Sequence, residues 1–295
     1  MMQHVKRAHK KTIAAVFLMV FLSMFMSGCM NMLLLKQDNH EYTYIISAKQ
    51  LFDAVNDALY KFEDTIYVQT DSYDEFMKFW NELDSEFALH SAFREKDVKL
   101  SYTEKDTVCK LKINMTYNAC GQAMKYLYAK NVDKYPTAEA EEVGKALLEI
   151  KNSIITEGMR DEEKVMKIHD YLISHCEYAV DGDIDHYATA YVLLNEKKAQ
   201  CQGYSEAFAA LCLLSGIPCK IISGTSTFAY GDGAHAWCLV KVNATWYHVD
   251  VTWDDPIPDV PSMIRYDFYL KGDTMMKSTH SWCSYYEACY IDYAS

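Results

Sequence analysis

The stretch from Gln200 to Asp255 constrains the fold more than any other part of the chain: an apolar helix, a hard stop and a run of strands follow one another within it. Cys201 follows a polar run and precedes Phe208, Leu211, Cys212 and Ser215 at helical spacing, which puts it at a helix N-terminus. There the unpaired amides and the positive end of the helix dipole favour an anion, so a thiol becomes a competent nucleophile. Gly216–Ile217–Pro218 stops the helix, and Cys219–Ser223 is read as the first strand of a sheet. The glycines in Gly224–Gly233 predict a mobile loop that delivers His235. Residues 236–242 are apolar apart from Lys241, and residues 246–253 are rich in aromatic and β-branched types. Asn243–Ala244 between them suits a two-residue hairpin turn.

That turn predicts a register. Val242 falls opposite Thr245 and His235 opposite Thr252, so Asp250 shares a face with His235 on the diagonal, within reach of a side-chain hydrogen bond. A histidine held by a carboxylate and facing a cysteine is the arrangement used for acyl transfer. A single buried cysteine is ordinarily packing. The order of all three residues gives the reading its weight.

Cys201 within Ala199–Ser205, then Gly216–Gly224, His235–Ala236–Trp237 and His248–Pro256, resemble the transglutaminase-like superfamily in its bacterial branch. The resemblance runs from about Asp161 to Trp282 and implies that Cys201 is the nucleophile, His235 the general base and Asp250 the residue that orients it. It also implies an α+β fold with a papain/transglutaminase-like core, in which the nucleophile helix packs on an antiparallel sheet. The chemistry implied is a thioester acyl-enzyme formed on an amide or peptide, resolved by water (peptidase or amidase) or by an amine (acyltransferase). The motif does not separate these outcomes, and it leaves the second oxyanion donor open among Gln200, Gln202 and a nearby aromatic side chain. Asn243–Ala244, Cys219 and Cys238 depart from the family's pattern. The alternative class is a non-catalytic surface lipoprotein that holds peptide or cell-wall fragments in such a cleft; the presence of all three residues speaks against it.

The N-terminus carries a second message. Lys6, Arg7, Lys10 and Lys11 precede an apolar run from Ile13 to Met26, and Met26–Ser27–Gly28–Cys29 resembles a lipobox. The expectation is a signal peptide over 1–28 and a lipid on Cys29, placing the protein outside the cytoplasm on the cell membrane. An uncleaved anchor over Ile13–Leu35 is the alternative. The domain reading that follows is 29–135 as an α+β N-terminal region and 136–295 as the catalytic domain.

The formal net charge of −12 argues against nucleic acid as a partner and leaves a protein, peptide or cell-wall substrate. The chain has ten cysteines but no Cys-x-x-Cys and no zinc-site spacing, so neither metal nor cofactor is expected.

Helical periodicity is read after Ser47, over Tyr73–Phe87, and in a pair opened by Thr137 and Asp161; strands are read at Thr65–Thr70, Val98–Thr103, Thr107–Tyr117 and Tyr266–Leu270. His169 lies on an apolar helix face and is read as a satisfied core histidine. Asp181–Asp185 lacks the ligand spacing of a calcium loop.

Overall fold

The computed structural model describes residues 6–7, 40–85, 93–94, 98–105, 107–128, 134–228, 231–260 and 263–294. The lipobox reading and Cys29 lie outside the described residues. Among those described, no helix is long and apolar enough to cross a membrane.

The architecture is α+β. The first sheet takes β1 (Lys6–Arg7), β2 (Thr43–Tyr44), β3 (Thr65–Thr70), β4 (Lys99–Lys105) and β5 (Val108–Asn114) in the order β1-β4-β5-β3-β2. Along β3 the buried residues Ile66, Val68 and Thr70 alternate with half-buried ones. Helices α1 (Ala48–Tyr60) and α2 (Tyr73–Ser85) supply Leu51, Phe52, Val55, Phe76 and Leu83 to the same core. Ser47 caps α1 by accepting the Gln50 N–H, as its position predicts.

Helix α3 (Ala119–Tyr128) was not legible in the sequence. Its buried side is made of Cys120, Gly121, Ala123 and Met124, too small and mixed to print an apolar stripe. Thr137 caps α4 (Ala138–Ile154), and α5 (Asp161–His175) follows as expected. After them come β6 (Glu177–Tyr178), α6 (Ala190–Glu196), β7 (Lys198–Ala199) and α7 (Cys201–Leu214). β6 and β7 form a short parallel pair immediately before Cys201.

The second sheet is antiparallel, in the order β10-β9-β8-β11: β8 (Cys219–Phe228), β9 (Gly231–Val242), β10 (Thr245–Val249) and β11 (His280–Trp282). α7 packs on it, and residues Gly203–Cys212 of that helix are all buried. The two regions share one hydrophobic core running from Ile45 to Cys289. Polar ties join them too: Tyr60 Oη accepts the Ile221 N–H at 2.6 Å.

Three sequence expectations need correcting. Gly224–Gly233 is mostly strand, because Thr225–Phe228 suits an extended backbone and extends β8 into a hairpin with β9. Residues 266–270 form no strand but a turn and bend over 267–270, held by single contacts such as Asp250 N–H to Phe268 O at 3.1 Å. The strand read over 246–253 ends at Val249, where a short helix α8 (Val251–Asp254) begins; α9 (Asp273–Met276) lies further on.

Candidate active site

The site is assembled from the first turn of α7, the middle of β9 and the end of β10. The hairpin register is the expected one, with Val242 opposite Thr245, and Asn243 and Ala244 both adopt positive φ (49° and 66°). The route from His235 to Asp250 is different. Thr252 lies in α8, not opposite His235, and Asp250 is the N-cap of that helix, its Oδ1 accepting the Trp253 N–H at 3.1 Å. A carboxylate that caps a helix is held at one oxygen and free to use the other. Oδ2 meets His235 Nε2 at 2.6 Å, and Asp250 is wholly buried.

Cys201 is half-buried at the N-terminus of α7, where its sulfur hydrogen-bonds the His235 ring and receives the Ala236 backbone N–H. Since His235 Nε2 faces Asp250, its other nitrogen serves the sulfur. Burial alone pushes the Cys201 thiol up; the hydrogen bond and charge of His235, with the Ala236 amide, outweigh it and bring the thiol below its usual range. Burial likewise disfavours a charged His235, but the Asp250 carboxylate and the sulfur hold the ring up at about 10. Asp250 is itself held well below the carboxylate range, its burial outweighed by His235 and His280. All three shifts run towards the charged forms of the thiol, the imidazole and the carboxyl group.

The other thiols behave differently. Burial pushes Cys109 and Cys176 up to about 12. Cys212, Cys219 and Cys238 form a chain of thiol contacts in the core, ending on Ser205 O, and burial raises all three. The two cysteines that depart from the family pattern are thus packing residues behind α7. The nine described cysteines are free.

Several contributors were not assigned from sequence. Tyr178, half-buried on β6, is raised to about 12 by burial and then by the charges of Cys201 and Asp250, which places its phenol within electrostatic reach of the sulfur. His280 Nε2 lies 3.1 Å from the Asp250 Oδ2 that His235 also uses. Trp237 Nε1–H donates to His248 Nδ1 at 2.9 Å, and His248 Nε2 faces Asp273 Oδ1 at 3.0 Å. That relay holds Trp237 nearly parallel to the His235 ring, 5.8 Å away. The Gln200 and Gln202 side chains are engaged with Ala179 O and Glu206.

Among the described residues, two groups present three ligand-type atoms within 4.8 Å: His235, Asp250 and His280, and His248, Asp273 and Cys289. In the second, the Trp237 donor requires a lone pair on His248 Nδ1, so Nε2 of the neutral ring keeps its hydrogen and offers a metal nothing. In the first, both ring nitrogens already donate to the carboxylate. His169 is a core histidine, its two nitrogens 3.0 Å from Asp170 Oδ1 and 3.1 Å from Asp254 Oδ2.

Gly224 admits β11 to this site. A Cβ there would lie 2.1 Å from Ser281 O, a backbone atom that cannot swing aside. Gly224→Ala is expected to displace β11 and destabilise the protein by about 2 kcal/mol, measured by urea unfolding, and to slow Cys201 alkylation.

Residues 149–251 match the profile of the transglutaminase-like superfamily, a span that holds Cys201, His235 and Asp250. Over that span the chain is transglutaminase-like. Kyphoscoliosis peptidase of Mus musculus is 29% identical over 128 residues, covering 40% of this chain and 19% of that protein. The Homo sapiens protein is 29% identical over 122 residues, covering 38% and 18%. The chain therefore spans about a fifth of the length of these curated relatives. Among solved structures, a TGase aligns at 17% identity and TM-score 0.31, over 64% of this chain and 51% of that one. A candidate cysteine protease from Cytophaga hutchinsonii aligns at 14% and 0.34, over 57% and 65%.

Proposed function

We propose that this chain is a cysteine-nucleophile enzyme that forms a thioester with amide or peptide carbonyls, resolved by water or by an amine. The observation that carries the reading is the Cys201 thiol at the start of α7, hydrogen-bonded to a ring that pairs at 2.6 Å with buried Asp250. The thiolate attacks the carbonyl carbon, the tetrahedral oxyanion collapses, the C–N bond breaks, and the His235 imidazolium gives its proton to the departing amine. In the second half-reaction His235, now neutral, takes a proton from water or an incoming amine as that nucleophile attacks the thioester, and the thiolate leaves.

The amides of the first turn of α7 have no partner within the helix and are the first oxyanion donors. In this reading Tyr178, within electrostatic reach of the sulfur, is the aromatic candidate for the second donor, and Tyr178→Phe is expected to lower kcat about 10²-fold with little change in KM, measured by steady-state kinetics.

Residues 136–295 form the catalytic unit in this reading, and residues 29–135 shape or present the substrate. The basic and apolar N-terminus and Met26–Cys29 support an extracytoplasmic location with a lipid on Cys29; incorporation of labelled palmitate that is lost in Cys29→Ser tests this.

The decisive assay incubates the protein with glutamine-containing peptides, with and without a labelled primary amine. Ammonia release, cleavage or amine incorporation identifies the reaction, and the activity disappears in Cys201→Ala. Peptide binding with no turnover across amide and peptide panels overturns the enzyme reading in favour of a binding module.

A further inference from the structure

His280 belongs to no motif that the catalytic reading uses, yet it reaches the centre of the site. It lies on β11, 30 residues after Asp250 in sequence, and its Nε2 is 3.1 Å from Asp250 Oδ2. His235 Nε2 is 2.6 Å from the same oxygen, and Trp253 N–H holds Oδ1 at 3.1 Å. A carboxylate only accepts, so His280 carries its hydrogen on Nε2. Its Nδ1 is 2.9 Å from Thr279 Oγ1, whose hydroxyl also lies 3.5 Å from Met276 O, so the second ring nitrogen has a partner as well. The ring is boxed by Trp253 at 4.4 Å, Trp237 at 4.9 Å and Phe268 at 5.5 Å between centroids, so it cannot swing away from the carboxylate.

We propose that His280 is a positioning residue whose Nε2–H, together with the Trp253 amide, clamps the Asp250 carboxylate so that Oδ2 stays aimed at His235. The proposal rests on the Cys201–His235–Asp250 reading. His235 is the partner being aimed at, so the frame has to come from elsewhere: Trp253 N–H on Oδ1 and His280 Nε2–H on Oδ2 set the plane of the carboxylate from α8 and β11, and without His280 the Oδ2 side is held by His235 itself and moves with it. The two distances rank the roles. The shorter contact is the ion pair to His235, and the longer one orients the acceptor without displacing it.

Loss of the His280 donor also leaves a lone pair of a wholly buried carboxylate empty, which favours reorientation. The titratable groups around the clamp are Cys201 on α7, His235 on β9, Tyr178 on β6, His248 on β10, Asp254 on α8 and Lys277 after α9. Each is unchanged in the variants below.

The test compares the pH dependence of Cys201 carboxymethylation, read by peptide mass spectrometry, in wild type, His280→Phe and His280→Gln, with melting curves for each. The expected result is a Cys201 midpoint about one pH unit higher in His280→Phe, with alkylation about tenfold slower near pH 6. His280→Gln, whose amide N–H reaches the same oxygen, restores most of the wild-type profile. A His280→Phe profile that superimposes on wild type, or a His280→Gln profile as displaced as that of Phe, overturns the proposal and leaves His280 a packing residue. Selective ¹⁵N-histidine labelling of the wild type gives an answer that needs no variant to fold: His280 is expected as the Nε2–H tautomer, and the Nδ1–H tautomer overturns the clamp. An ordinary thiol midpoint in the wild type is a different failure, one that removes the triad reading itself.

Discussion

Asp250→Asn is expected to lower kcat/KM by about 10⁴-fold while leaving the protein folded. The size follows from hydrogen-bond arithmetic. In the wild type both carboxylate oxygens accept: Oδ1 from Trp253 N–H, Oδ2 from the Nε2–H of His235 and His280. An asparagine has one accepting end. With its amide nitrogen at the Oδ2 position it faces two ring donors, and His235 is driven to the tautomer that places hydrogen on the wrong nitrogen for the sulfur. With the nitrogen at Oδ1 it confronts the Trp253 amide and the N-cap of α8 is lost. In either orientation the negative charge that holds His235 up at about 10 is gone, so the thiolate loses its partner. Kinetics on whichever amide substrate the peptide assay identifies, with circular dichroism to verify folding, measures this.

The second large effect is on stability. Glu206, buried on α7, accepts from Asn118 Nδ2 at 2.7 Å, Gln202 Nε2 at 3.3 Å and Ala190 N–H at 3.1 Å, and from the Phe93 backbone amide. These donors come from Phe93 between α2 and β4, Asn118 just before α3, the start of α6, and α7 itself, so one carboxylate joins both halves of the chain beneath the nucleophile helix. Glu206→Ala leaves buried donors without an acceptor and opens a cavity. At roughly 1 kcal/mol or more for each unmade bond, the expected loss is about 4 kcal/mol, or about 10 °C in Tm for a chain of this size. Differential scanning calorimetry checks it, and a melting point within 2 °C of wild type sinks the account of Glu206.

What the sequence revealed and what it hid divide along one line. Cys201 was legible because a helix N-terminus is a local feature, and the hairpin was legible because two turn residues fix its register. His235 and Asp250 do converge, but as strand and helix cap, since nothing local marks whether Asp250 ends a strand or opens a turn of helix. Gly231 and Gly233 misdirected the reading towards a loop, although β8 and β9 carry the hairpin through most of that stretch. Thr279–Trp282 resembles a closing element of the family without giving His280 a role, and Tyr178 and Glu206 stood in no motif, all for a shared reason. Their weight comes from sheet order and inter-element packing, and the place of β11 beside β8 follows from tertiary contact, including the close approach that Gly224 permits.

The central claim is that the sulfur of residue 201 exists as a thiolate because His235 shares a proton with it. Competitive alkylation of the native wild-type protein with limiting iodoacetamide near pH 6, mapped thiol by thiol, tests this most directly. The account predicts Cys201 modified at least tenfold faster than any other cysteine, with the preference abolished in His235→Ala. Equal labelling of Cys201 and the remaining thiols, or an undiminished preference in that variant, would contradict it.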